Sequence, residues 1–106
     1  MKVVVDASNV AHHVKNADSK PQMANILAAV KALEESEDEF VIIADASLRH
    51  EIDNKEAFEK LLESDNVEEV PPGNDADHFI LEIAYSEKAK ILSNDKFSSI
   101  ISEFII

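Results

Sequence analysis

Apolar residues along this chain fall into short unbroken runs, separated by longer stretches in which they recur every three or four positions. Lys2-Val3-Val4-Val5 is a β-branched run without polar alternation, the pattern of a strand covered on both faces. Phe40-Val41-Ile42-Ile43-Ala44 repeats that pattern. Val67 to Val70 predicts a third, weaker strand ended by Pro71-Pro72-Gly73, and Lys90-Ile91-Leu92-Ser93 a fourth. Between the runs, Met23, Ile26, Leu27, Val30 and Leu33 mark one face of a helix, which Ser19 caps with Pro21 in its first turn. Phe58, Leu61 and Leu62 mark a second helix capped by Asp53 or Asn54, and Phe79, Ile80, Ile83 and Ala84 a third capped by Asn74. Phe97, Ile100, Ile101 and Phe104 predict a last helix, with Phe104-Ile105-Ile106 as the alternative start of a fifth strand.

Strand and helix in alternation predict an α/β fold whose sheet is mainly parallel, has four to five strands and is sandwiched by helices. Right-handed crossovers place every strand's carboxyl end on one edge of such a sheet, and ligands bind at that edge. The 106 residues make a single domain, 1–106, and 45% apolar content is enough for a core.

Composition narrows the chemistry. The absence of cysteine excludes disulfides, thiol nucleophiles and Cys-based zinc sites. A single glycine, Gly73, excludes Gly-rich phosphate loops and dinucleotide fingerprints, so no small organic cofactor is expected. No apolar run approaches the roughly 18 residues of a membrane span. The first residues enter a strand and meet Asp6, which is no signal peptide, so the chain reads as soluble and cytoplasmic, with no membrane partner. Its net charge of −12, with Arg49 as the one arginine, argues at first sight against nucleic acid.

The placement of the acids changes that picture. Asp6 follows the first strand, Asp45 the second, Asp75 and Asp77 open the helix after the third, and Asp95 follows the fourth; Asn9 and Asn94 accompany two of them. Each aspartate singly is equally well explained as a cap or turn residue. Ser, Thr and Asn serve as caps too, however, and aspartate at all four exits is more than capping requires. Converging carboxylates repel, so either one or more stay protonated or a cation neutralises them. Oxygen-only ligands suit Mg²⁺ or Mn²⁺, and such sites perform phosphoryl chemistry. Ser8 and Ser93 are candidate donors to the carboxylates. Arg49 and His50 form either a surface pair or a phosphate clamp. His12, His13, His50 and His78 have no metal-ligand spacing and read as solvated loop residues, with phosphate contact as the sharper role. The acidic run 34–39 reads as a solvated loop on the opposite, amino edge, and Tyr85 as a packing residue.

Val3-Val4-Val5-Asp6-Ala7-Ser8-Asn9-Val10-Ala11 resembles the opening motif of the NYN branch of PIN-like ribonucleases. Asp77-His78-Phe79-Ile80 through Ala84-Tyr85, and Ile91-Leu92-Ser93-Asn94-Asp95-Lys96-Phe97, resemble the later motifs of its Regnase-type (CCCH-zinc-finger ribonuclease) subgroup. Ala46-Ser47-Leu48-Arg49 falls where that subgroup has a short motif ending in arginine. The resemblance runs over nearly the whole chain, in order. It implies a three-layer α/β/α PIN-like fold and Mg²⁺- or Mn²⁺-dependent endonucleolytic cleavage of single-stranded RNA. A metal-activated water would attack the phosphodiester, leaving 5′-phosphate and 3′-hydroxyl ends. Asp6, Asp77 and Asp95 match the metal-binding and catalytic acids, Asn9 the paired asparagine, and Asp45 and Asp75 lie near the site. Arg49, Lys96, Lys15, His12 and Asn94 would position the RNA. Two positions depart from the subgroup: Ala76 stands beside Asp77 where paired acids are usual, and Ser98 and Ser99 stand where another acid follows the last motif. Relatives usually continue into a further strand, and the zinc finger of the animal proteins is missing.

Three other readings compete. A catalytically weak or inactive PIN-like module would bind through a protein or RNA partner. A phosphoacceptor domain would need an aspartate after the third strand and a lysine after a fifth; Val70-Pro71-Pro72 offers no such aspartate and no lysine follows Lys96. A small-molecule phosphatase would need a second aspartate where Ser8 stands. With up to five aspartates assigned to a metal site, the charge no longer argues against phosphodiester chemistry. It still predicts weak RNA affinity that falls with salt, or a basic protein partner, and the resemblance leaves room for a homodimer.

Overall fold

The computed structural model describes residues 2–13 and 17–92. Strands β1 (Lys2–Asp6), β2 (Glu39–Asp45), β3 (Val67–Val70) and β4 (Lys90–Leu92) form one sheet in the order β3-β2-β1-β4, and every neighbouring pair is parallel. Among the described residues there are five helices: α1 (Ala7–Ala11), α2 (Met23–Glu35), α3 (Leu48–Glu51), α4 (Lys55–Leu62) and α5 (Ala76–Glu87). The helix and fifth strand predicted after residue 96 lie outside the described residues.

Side chains alternate across a strand, so a sheet buried on both faces sorts its residues by parity. Val3, Val5, Ile42, Ala44 and Val67 pack with Val10, Met23, Ile26, Leu48 and Phe58 from α1 to α4. Val4, Ile43, Val70 and Ile91 pack with Ile80 and Ala84 of α5 and with Ala89. The result is three layers, with α1 to α4 on one side of the sheet and α5 on the other. Burying a Val, Leu, Ile or Phe side chain stabilises by about 1.5–3 kcal/mol each, which is why the β-branched runs form the central strands. At the amino edge, Lys2 Nζ donates to Glu87 Oε1 at 2.6 Å and ties the start of β1 to the end of α5. That hydrogen bond holds the Lys2 ammonium above its usual pKa.

Helix starts differ from the local expectation. Ser19 does not cap α2; it sits in the left-handed region with φ 61°. The helix begins at Met23, its flanking residue Gln22 makes no side-chain cap bond, and the Met23 N–H donates instead to Asp53 Oδ1 at 2.9 Å. Asn54 caps α4 by accepting from the Ala57 N–H at 3.1 Å, so neighbouring residues cap two different helices. Asp75, not Asn74, caps α5. Asn74 closes the turn after β3: its N–H donates to the Pro71 carbonyl at 3.2 Å, with Gly73 at φ 85°. Pro at the second and Gly at the third position make this a type II turn, which needs a positive φ where Gly73 stands. Within the acidic run, Glu34 and Glu35 finish α2 and Glu39 opens β2, so only 36–38 are a connecting turn. The run precedes a parallel strand and therefore lies on the amino edge, as expected. Leu27 is 51% exposed and does not join the core as the periodicity predicts, and Tyr85, read as a packing residue, is 76% exposed.

Candidate functional site

Asp6 ends β1 and is only 3% exposed, the one charged side chain buried to that degree among the described residues. A carboxylate taken out of water is costly unless its oxygens are hydrogen-bonded. Helix α1 begins at the next residue and supplies those bonds. The Asn9 N–H donates to Asp6 Oδ1 at 3.2 Å, and Asn9 Nδ2 donates to Oδ2 at 3.0 Å. Asp6 is thus a helix cap and a clasped carboxylate at once; the two readings of this residue coincide. Among the described residues no buried side-chain nitrogen or oxygen lacks a partner.

Register sets the neighbours of this group. Asp6 pairs with Ile43 and Asp45 with Val70, and Ile43 and Val70 both face α5. Partners in a parallel pair share a face, so Asp6 and Asp45 lie on the α5 side of the sheet. Helix α5 opens there, with half-buried Asp77 in its first turn.

The remaining carboxylates are employed locally. Asp45 Oδ1 accepts from the Ser47 N–H and from Ser47 Oγ, both at 2.7 Å. Asp75 Oδ1 accepts from the Asp77 N–H at 3.0 Å. Among the described residues no three His, Cys, Asp or Glu side chains come close enough together to hold a metal ion. The expected convergence of Asp6, Asp45, Asp75 and Asp77 is therefore not seen as a cluster within that set. Asp95, Ser93, Asn94, Lys96 and Lys15 lie outside the described residues. The last β1–β4 pair is Val5 with Leu92; Asp6 is the next residue on one strand, and Asp95 comes three residues after Leu92 in the sequence.

The expected contact residues divide. Among the described residues the Ser8 hydroxyl makes no hydrogen bond to a carboxylate; the Ser8 carbonyl accepts from His12, at 3.0 Å from the backbone N–H and 2.7 Å from Nδ1. His12 Nε2 stands 3.9 Å from Glu51 Oε2. Arg49 Nε and Nη2 donate to the two oxygens of Glu69 at 2.8 and 2.7 Å, a planar fork that fastens α3 to β3. The Glu69 hydrogen bond, and then its charge, raise the Arg49 pKa above its usual value. Arg49 is thus paired with Glu69, a partner that neither of its expected roles named. His78 meets Phe79 edge to face, with ring centroids 6.3 Å apart, and Nε2 stands 3.6 Å from Glu82 Oε2.

One further feature of this edge has no motif of its own in the sequence. The ends of β2 and β3 enclose a cleft of about 280 Å³ between Asp45 and His50 on one side and the Pro71–Asn74 turn on the other. The turn signal was plain, but the wall it faces depends on the β2–β3 register.

Comparison with known proteins agrees with this architecture. The sequence matches the family described as Zc3h12a-like Ribonuclease NYN domain over residues 1–105. Among curated proteins none matches. Among solved structures, the crystal structure of nuclear proteinaceous RNase P 2 (PRORP2) from A. thaliana is similar, with a TM-score of 0.68 at 18% identity over 96% of this chain and 24% of that one. At that identity the likeness concerns the fold, and this chain spans less than a third of that protein's length. With four parallel strands between helical layers, the fold is PIN-like, and the chain belongs to the Zc3h12a-like ribonuclease NYN domain family.

Proposed function

We propose that the chain is a metal-dependent endoribonuclease acting on single-stranded RNA, with Asp6 at the centre of its site. The observation that carries this reading is a carboxylate only 3% exposed, clasped on both oxygens by Asn9, at the carboxyl edge of a parallel sheet. Burying such a group without need costs stability, so its placement speaks for chemistry. Asp6, Asp77 and Asp95 would hold the ion, and carboxylate oxygens are the donors that Mg²⁺ and Mn²⁺ prefer. When bound, such a cation supplies Lewis acidity towards a phosphodiester oxygen and makes water a better nucleophile. Asn9 keeps the Asp6 carboxylate in one orientation. The first turn of α5 favours the negative charge of Asp77 through the helix dipole. His12, Lys15, Asn94 and Lys96 are the residues left to position the RNA backbone, because Arg49 is engaged by Glu69. With a net charge of −12, affinity is weak and falls with salt.

The test is cleavage of an unstructured RNA by the wild type and by Asp6→Asn, in Mg²⁺, in Mn²⁺ and with chelator. Cleavage that needs metal and is reduced in the variant to the chelated background is the expected result. Equal cleavage by both proteins, or none in either metal, overturns it. A second reading, a binding module without turnover, is favoured by Ser98 and Ser99 in place of an acid. It predicts RNA retained by the protein and recovered intact in the presence of metal.

A further inference from the structure

The cleft between the ends of β2 and β3 lies beside Asp6, not over it, because β2 separates β3 from β1. Both of its walls are fixed. The Arg49–Glu69 fork ties α3, which carries His50, to β3. The opposite wall is the type II turn closed by Asn74 on Pro71, with Gly73 at φ 85°. A site whose walls are already ordered spends little free energy on ordering when it binds.

Three polar groups on the residues lining this cleft are not taken up by other described residues. Asp45 gives Oδ1 to Ser47 and keeps Oδ2. Asn74 gives Nδ2 to the Pro71 carbonyl at 3.3 Å and keeps Oδ1. The His50 ring makes no hydrogen bond or ion pair with the described residues. Two of the three are acceptors and one is a carboxylate, so a phosphate is repelled and a ligand with N–H donors is attracted. Pro71 and Pro72 add flat apolar surface, and a volume of about 280 Å³ admits a single planar nucleobase. A pair of acceptors beside an imidazole N–H complements an amino group next to a ring nitrogen. On their Watson–Crick side adenine and cytosine present that edge, whereas uracil presents carbonyl oxygens flanking an N–H.

We propose that this cleft is a base-reading subsite that takes one unpaired adenine or cytosine of the RNA, with Asp45 and Asn74 accepting from its amino group and His50 donating to its ring nitrogen. The proposal rests on RNA being the substrate. Sequence-specific RNA recognition uses splayed, single-stranded bases, and a subsite to one side of Asp6 would set which nucleotide neighbours the scissile bond.

The experiment is fluorescence anisotropy with labelled hexamers of A, C and U at low salt without divalent metal, alongside separate cleavage assays in Mn²⁺. Wild type should bind the A and C hexamers about five-fold or more tightly than the U hexamer. His50→Ala and Asn74→Ala, each checked for a native melt, should bring A and C down to the level of U and leave U unchanged. Equal binding of the three hexamers by wild type, or a preference that survives both substitutions, overturns the subsite. In that event, cleavage by wild type and its loss in Asp6→Asn would leave the ribonuclease reading standing. Neither binding nor cleavage of any hexamer overturns both.

Discussion

The backbone N–H of Met23 donates to the carboxylate of Asp53, thirty residues further along, at 2.9 Å. The Asp53 N–H in turn donates to the Pro21 carbonyl at 3.0 Å. The first turn of α2 is therefore capped by the α3–α4 connection, and two segments distant in sequence fix each other. Asp53→Ala should cost about 0.5–2 kcal/mol in urea unfolding, while Asp53→Asn, which keeps an acceptor, should cost less. Equal stability of wild type and Asp53→Ala would show that the cap contributes nothing in solution.

Gly73 holds φ 85°, and a Cβ built there meets nothing within 4 Å. The requirement for glycine is thus conformational and not steric. Gly73→Ala should destabilise by about 1–2 kcal/mol, and Gly73→Asn by less, because asparagine tolerates the left-handed region better. The measurement is the unfolding midpoint at constant m-value; an alanine variant as stable as wild type would mean that the turn relaxes.

Asn9 holds Asp6 through two atoms of different standing. Asn9→Ala removes the Nδ2 bond to Oδ2 and leaves the backbone bond to Oδ1. The helix should survive, while metal affinity or cleavage falls about 10–100-fold, the usual effect of removing a group that orients a ligand. Titration with Mn²⁺ and single-turnover cleavage measure the two effects; an unchanged variant would reduce Asn9 to a helix residue.

An ion that binds only the folded chain raises its melting temperature. At 100 times its dissociation constant, Mn²⁺ should add about 2.7 kcal/mol. The shift should be present in wild type and absent in Asp6→Asn. A wild-type melt that millimolar Mn²⁺ leaves in place would count against a site at Asp6.

Strands β1, β2 and β4 were legible as short runs rich in β-branched or aliphatic residues, and β3 through its valines at either end and the Pro-Pro-Gly that follows. Helices α1 and α3 were not, since five and four residues are too few to show a period. Ser19 and Asn74 looked like caps because local sequence is all that a capping rule sees; Asp53 caps α2 through the tertiary fold, and Asp75 is simply one residue better placed. Asp6 and Asn9 were readable as a pair because their bond spans one helical turn. The engagement of Arg49 by Glu69 was not, because it depends on β3 lying beside β2 in one register. Asp95 was assigned by motif, and the described residues stop at Leu92.

Among the described residues, α5 is the helix that covers the Val4, Ile43, Val70 and Ile91 face, through Ile80 and Ala84. The same helix opens with Asp75 and Asp77. Asp77 cannot be displaced by a small hinge motion, since lifting its helix would wet that entire face of the sheet. The acid and that half of the core belong to one cooperative unit, and the hydrogen-bonded amides around Ile80 and Ala84 should be among the slowest to exchange with solvent. A preformed Asp77 is, in this fold, a by-product of hydrophobic burial on the far side of the sheet from α2.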